Sequence, residues 1–198
     1  MVPAKITAVP LPVTGIILCG GRSTRMGADK GALDFGGETI LARITRLMRE
    51  VATEVIVAGR RDQPGTTVHD AIDDQGPLSG IAAGLGASTS DVNIVVACDM
   101  PLIKPAVLER LVAMIGDHDA CVVVVDGHAS ALCGAYRSRV AIDAQALLDS
   151  GERRVMRLLD RIQTKRVDAS LLRDLDPELD TFVSVDTADK YQWALAKR

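Results

Sequence analysis

Aromatic side chains are scarce in this chain: two phenylalanines, two tyrosines and one tryptophan make up 3% of its 198 residues. Excess charge is missing too, since 23 basic side chains stand against 26 acidic ones for a net charge of −3. General nucleic-acid binding relies on a basic field and on stacking rings, so no nucleic-acid partner is expected and any anion site must be local. Long apolar runs are absent. Ile94–Ala97 and Val122–Val125 fall far below the ~20 residues of a membrane span, so no membrane partner is expected. The four cysteines, Cys19, Cys98, Cys121 and Cys133, form no CxxC pair, which argues against a zinc or disulfide framework and for buried thiols in a reducing compartment. No second histidine lies at ligand spacing from His128, so that residue is expected to line a turn rather than a metal. Residues 1–13 carry one lysine and three prolines and no sustained apolar core. They do not resemble a secretory signal and are expected to be a disordered lead-in to a cytoplasmic protein.

What the chain does have is an ordinary globular composition, 47% hydrophobic and 25% charged, with no repeat or linker, so one domain over residues 14–198 is expected. Strand and helix patterns alternate. Thr14–Cys19, Val55–Val57, Thr67–His69, Val92–Ala97 and Ala120–Val125 read as strands. Helical spacing covers a segment opening at a Thr39 N-cap, then Pro77–Ala87, Pro105–Ile115, Val140–Leu148, Val155–Ile162 and Thr187–Ala196. Phe182–Val185 reads as a last short strand, and Val123–Val125, Asp126-Gly127-His128 and Ala131–Tyr136 as a hairpin around a Gly turn. This order predicts an α/β fold with a mostly parallel, mixed sheet whose working loops lie at the carboxyl ends of the strands.

The most informative segment is Leu18-Cys19-Gly20-Gly21-Arg22-Ser23-Thr24-Arg25-Met26-Gly27-Ala28-Asp29-Lys30, directly after the first strand. Gly20 and Gly21 let the backbone turn tightly and aim N–H groups at an anion, while Arg22, Arg25 and Lys30 supply charge. The spacing is neither that of a Walker A loop, since Ala28 follows Gly27, nor GxGxxG. Asp99 closes the strand Val92–Ala97, where its carboxylate would face Mg2+ on a nucleotide beside the glycine loop. Gly76-Pro77-Leu78 opens a helix whose first amides would lie near a ligand. Arg153 and Arg154, at the start of a helical stretch, oppose its dipole, which makes sense if they face a phosphate; otherwise they form a solvated face.

These motifs resemble the molybdenum cofactor guanylyltransferases and their nucleotidyltransferase relatives. Leu18–Lys30 is similar to the signature LxGGxxxRMGxxDK, Gly76–Gly80 to GPLAG, Cys98–Pro101 to the metal-binding CDMP, Gly151–Met156 to GERRVM, and Phe182–Thr187 to FxNxNT. The resemblance implies a Rossmann-like three-layer sandwich of the nucleotide-diphospho-sugar transferase kind. It implies GMP transfer from GTP to the terminal phosphate of molybdenum-loaded molybdopterin, with Mg2+ as cofactor and molybdoenzyme maturation proteins as further partners. It casts Arg25, Lys30 and Asp99 as catalytic, with Asp99 on the metal. Leu18, Cys19, Gly20, Gly21, Lys30, Asp70, Gly76, Pro77, Leu78 and Asp99 would bind nucleotide, with Asp73 and Asp74 competing for the role of Asp70. Arg153, Arg154, Ser184 and Asp186 would bind the acceptor, with the two arginines facing a phosphate or pterin substituent.

The chain departs from the pattern at Ala58, where some relatives carry asparagine, at Ser184 and Asp186, which replace two asparagines, and at Ala129, which replaces a proline. Gly20 favours guanine over the cytosine of relatives with alanine there. A cytidylyltransferase, a sugar-1-phosphate nucleotidyltransferase and a noncatalytic GTP sensor remain as alternatives. An NADP reductase using Arg60 and Arg61 lacks the required GxGxxG.

Overall fold

The structure is a computed structural model and describes residues 11–19, 30–59, 65, 67–69 and 76–198. In chain order the elements are β1 (Leu11–Leu18), α1 (Ile40–Met48), β2 (Ala52–Gly59), β3 (Val68–His69), α2 (Pro77–Ala87), β4 (Val92–Ala97), α3 (Pro105–Met114), β5 (Ala120–Val125), β6 (His128–Arg137), α4 (Val140–Asp149), α5 (Val155–Arg161), β7 (Thr164–Asp168) and α6 (Ala188–Ala196). The strands form one sheet in the order β3-β2-β1-β4-β6-β5-β7. Only β6 runs antiparallel to its neighbours. This is the expected mixed α/β architecture.

Burial on both faces explains the uninterrupted apolar strands. In β1, Val13 and Ile17 pack with Ile40, Ile44 and Met48 of α1, whereas Ile16 and Leu18 pack with Leu78, Ile81 and Leu85 of α2. Helix α1 starts as predicted at Thr39, whose Oγ1 accepts a hydrogen bond from the Ala42 N–H at 3.1 Å, replacing a partner the first turn lacks. Both covering helices approach β1 closely. A Cβ on Gly15 would stand 2.2 Å from Met48 Cγ, and one on Gly84 would stand 2.5 Å from Ile16 Cγ2.

The β5–β6 hairpin turns on Asp126 and Gly127, with φ of 49° and 79°, between the paired residues Val125 and His128. Two successive positive φ values make the two-residue turn whose twist suits a hairpin. His128 lines this turn as expected, its ring Nδ1 2.8 Å from the Asp126 carbonyl oxygen.

Three sequence expectations are revised. β1 begins at Leu11, three residues ahead of Thr14, so only residues 1–10 of the expected lead-in lie outside the described residues. Phe182–Val185 is not a strand: Asp180–Phe182 is a 3-10 turn and the residues after it are extended without a ladder. Val185 is buried in the core beside α1 and α6 instead, with Phe182 packed against it. An unpredicted strand, β7, forms the edge, with Val167 as its one buried residue. An edge strand so polar leaves little hydrophobic pattern to read.

β1 has parallel neighbours on both sides, β2 and β4. The chain leaves it toward β2 through α1 on one face and reaches β4 through α2 on the other. The carboxyl ends of β1 and β4 therefore flank the switch point where open α/β sheets bind ligands.

Candidate functional site

The ends of three strands are level at that point. The Cys19 N–H donates to the Ala58 carbonyl at 2.7 Å and the Cys98 N–H to the Leu18 carbonyl at 2.9 Å, so the ladder runs one residue past β1 and β4. Asp99 emerges next, on a turn whose other residues, Met100, Leu102 and Ile103, are sunk in the core. Arg43 of α1 donates from Nε to the Pro101 carbonyl at 2.8 Å and lies over the Phe35 ring, 5.2 Å from its centroid. Asp99 is thus held by packing and does not cap α3, whose N-cap is Lys104.

Two side chains converge on Asp99 Oδ2. Lys30 Nζ donates to it at 2.8 Å and Ser184 Oγ at 2.7 Å. The ion pair is partly desolvated, with 21% of the Lys30 side chain and 18% of the Asp99 side chain exposed. Lys30 opens a 3-10 turn, Lys30–Ala32, that leads into α1, so the last cation of the glycine loop is delivered to the carboxylate expected to hold metal. Asp186 stands close by. Its carboxylate pairs with Lys190 Nζ at 2.8 Å, and that hydrogen bond, against the opposing effect of burial and with help from Lys30, holds its pKa below the usual carboxylate range.

The α2 start also sits at this edge, since α2 carries the chain from β3 to β4. Gly76, its N-cap, has φ +77° and ψ −174°, a conformation essentially restricted to glycine. Pro77 occupies the first turn. Leu18, Cys19 and Leu78 are buried at 6%, 1% and 0% exposure, so their contribution to a ligand would come from the backbone.

Topology brings the Gly151–Arg154 loop to the same edge, because α4 runs up from the far end of β6 and α5 runs back down to β7. Arg153 and Arg154 precede α5, Arg154 being its N-cap. Among the described residues neither bonds to Lys30, Asp99 or Ser184. Arg153 donates to the Leu148 carbonyl at 2.8 Å, and Arg154 donates from Nε and a terminal nitrogen to Glu152 at 2.9 and 2.7 Å. Glu152 also accepts from both backbone N–H groups, at 2.9 and 3.0 Å. These bonds, the Arg154 guanidinium first, hold its carboxyl down at about 2. The cationic pair is therefore offset by an acid at the helix start, a partner the sequence reading passed over although it sits in the same motif.

A second group missed in the sequence fixes the approach to Ser184. Asp176 is fully buried and accepts from Lys104 Nζ at 2.6 Å and from the Thr181 N–H at 2.8 Å, while the Lys104 N–H donates to Thr181 Oγ1 at 3.2 Å. No local pattern announces this clamp. Arg25, Gly20, Gly21 and Asp70, with its competitors Asp73 and Asp74, lie outside the described residues. Among the described residues no three His, Cys, Asp or Glu side chains gather as a metal cage, no disulfide joins the cysteines, and no helix is long and apolar enough to cross a membrane. Burial raises the Cys121 and Cys133 thiols to about 11 and about 12, so both stay protonated at neutral pH.

The chain matches the family model described as the MobA-like NTP transferase domain over residues 15–167. It is 30% identical over 194 residues to the Methanosarcina mazei protein named "Probable molybdenum cofactor guanylyltransferase", covering 89% of this chain and 87% of that one. The structure of molybdopterin-guanine dinucleotide biosynthesis protein A from Archaeoglobus fulgidus superposes with a TM-score of 0.83 at 22% identity, covering 93% of this chain and 98% of that one. Rv0371C from Mycobacterium tuberculosis, solved in complex with manganese, superposes with a TM-score of 0.65 at 18% identity, covering 95% of this chain and 100% of that one. The chain belongs to the MobA-like NTP transferase family, that of the molybdenum cofactor guanylyltransferases.

Proposed function

We propose that this molecule transfers GMP from GTP to the terminal phosphate of molybdenum-loaded molybdopterin, releasing pyrophosphate and molybdopterin guanine dinucleotide. The observation that carries the reading is the meeting of Lys30, the last residue of the glycine-and-cation loop, with Asp99 at the end of β4. The guanylyltransferase relatives supply the donor base and the acceptor, and Gly76-Pro77-Leu78 at the start of α2 fits a nucleotide beside the β1 loop.

The nucleophile needs no base. A phosphate monoester has a second pKa near 6 and is largely dianionic at neutral pH, which suits a site where the side chains bonded to the Asp99 carboxylate are Lys30 and Ser184. The difficulty is alignment and charge: a dianion must meet the α-phosphorus in line while charge grows on pyrophosphate. Lys30 provides a positive charge at the switch point, and Arg25 belongs to the same sequence motif. Backbone amides at the α2 start orient the nucleotide, and Arg153 and Arg154, between α4 and α5 on the same face of the sheet as α2, attract the acceptor's phosphate.

The donor set fits a hard divalent cation such as Mg2+. Asp99 offers an oxygen ligand whose ammonium partner can turn to the nucleotide phosphates, and the lack of a three-carboxylate cage among the described residues suits an ion that takes one or two carboxylates and fills its sphere with phosphate oxygens and water. When bound, such an ion would offset charge on the triphosphate.

The test supplies protein, Mg2+ and molybdenum-loaded molybdopterin with GTP, CTP, ATP or UTP in turn, and measures pyrophosphate and dinucleotide. GTP-selective product supports the reading. CTP preference overturns the base assignment, and turnover only with a sugar 1-phosphate overturns the acceptor.

A further inference from the structure

Ser184 was expected to touch the acceptor, yet its hydroxyl is committed elsewhere. Ser184 Oγ lies 2.7 Å from Asp99 Oδ2, across 85 positions of chain. The same oxygen accepts from Lys30 at 2.8 Å. One residue further on, the Val185 N–H donates to the Asp99 backbone carbonyl at 2.8 Å. The segment thus grips residue 99 twice, once by backbone and once by side chain.

That grip is itself fixed from three directions. Val185 is fully buried in the core beside α1 and α6. Upstream, the Asp176–Thr181–Lys104 clamp ties the chain to the start of α3. Downstream, Thr187 caps α6 by accepting from the Lys190 N–H at 3.3 Å, and Lys190 pairs with Asp186. A short hydroxyl on so constrained a backbone has little freedom to swing toward a bound molecule. It has the freedom required to hold a carboxylate in one rotamer, which is what a cation ligand needs from its surroundings.

We infer that Ser184 is a positioning residue for Asp99: its hydroxyl anchors Oδ2 and so fixes the face that the carboxylate turns to a divalent cation and nucleotide, and it does not bind the acceptor. This rests on the reading of Asp99 as the cation ligand. The serine acts through the aspartate, so its removal lowers cation affinity in the nucleotide complex and leaves recognition of molybdopterin untouched.

The experiment titrates Mn2+ into protein saturated with GTP, without acceptor, following the loss of the free-ion paramagnetic resonance signal. Wild type, Ser184→Ala, Ser184→Thr and Asp99→Asn are compared, with thermal melts to show that each is folded. Ser184→Cys, close in size and a weak donor, replaces the alanine variant should that one fail to fold. The expected result is Mn2+ binding weaker by about 10- to 100-fold in Ser184→Ala and near wild type in Ser184→Thr, the range typical of lost ligand-supporting hydrogen bonds. In steady state Ser184→Ala should lose kcat with an unchanged KM for molybdopterin. Wild-type Mn2+ affinity in Ser184→Ala, with a raised KM for molybdopterin, overturns the inference and returns Ser184 to the acceptor site. Asp99→Asn separates the two levels: weakened Mn2+ binding there with none in Ser184→Ala sinks only the role of the serine, whereas wild-type Mn2+ affinity in Asp99→Asn sinks the reading of Asp99 beneath it.

Discussion

Lys30 and Asp99 are 69 positions apart in the chain, and their charged groups meet at 2.8 Å. The lysine follows β1 in the chain and the aspartate lies in the turn after β4, so the contact depends on those strands being neighbours. The ammonium group is paired with the carboxylate proposed to take a divalent cation. A triphosphate offers Lys30 another partner, so nucleotide and cation binding should reinforce each other.

Lys30→Gln should therefore bind Mn2+ more tightly than wild type when no nucleotide is present, by about 3- to 10-fold, the scale of one screened positive charge at contact distance. It should also lose most of the gain in Mn2+ affinity that GTP confers on wild type. Resonance titrations with and without GTP check both. Identical nucleotide-free affinity in the two proteins would show that Lys30 and the cation do not compete.

Gly84→Ala sets two effects against each other. Alanine is a better helix former than glycine by about 1 kcal/mol. At this position its Cβ would stand 2.5 Å from Ile16 Cγ2, an atom on a stiff β-branched side chain in a central strand. Overpacking of that kind costs about 1–3 kcal/mol, and it should prevail. Urea melts should show net destabilisation with an unchanged slope; a stabilised variant would mean that α2 can slide away from β1.

Much of this packing was legible in the sequence. Pro77–Ala87, Val92–Ala97 and Ala120–Val125 match α2, β4 and β5 at both ends, because the strands are short apolar runs buried on both faces and the helix opens with a Gly-Pro signal. Phe182–Val185 deceived for a related reason: Val185 is buried and Phe182 half-buried against the core, as strand residues would be, but in a segment that crosses the sheet's end. At the site, Lys30 and Asp99 could be named from their motifs, whereas the Ser184–Asp99 bond could not, since no local spacing relates residues so distant. The Asp176 clamp left no trace either, because one acid among Asp174, Asp176, Glu178 and Asp180 reads as solvated like its neighbours until the fold buries it.

Asp176 should make stability depend on acid. Burial alone would raise its pKa, but Lys104 and the Thr181 N–H outweigh burial and the value is lowered. A carboxylate with a folded pKa below its unfolded value contributes stability that is present above about pH 4 and is lost as pH falls through the folded pKa. Asp176→Asn should cost about 2–3 kcal/mol near neutral pH, as expected for losing charged hydrogen bonds, and should flatten the acid limb of a plot of urea midpoint against pH. It should also lower turnover, since the clamp leads to Ser184. An unchanged acid limb would assign the pH dependence to other carboxylates.

Lys30 is proposed as the cation that meets charge during GMP transfer, and its role is decided by pyrophosphate release from GTP with molybdenum-loaded molybdopterin and Mg2+, comparing wild type with Lys30→Ala. A loss of about 10²- to 10³-fold in kcat is expected, the size found when one preorganised donor is removed from an anionic transition state, in a variant whose thermal midpoint stays within a few degrees of wild type. A folded Lys30→Ala protein that releases pyrophosphate and forms dinucleotide at the wild-type rate would contradict the account.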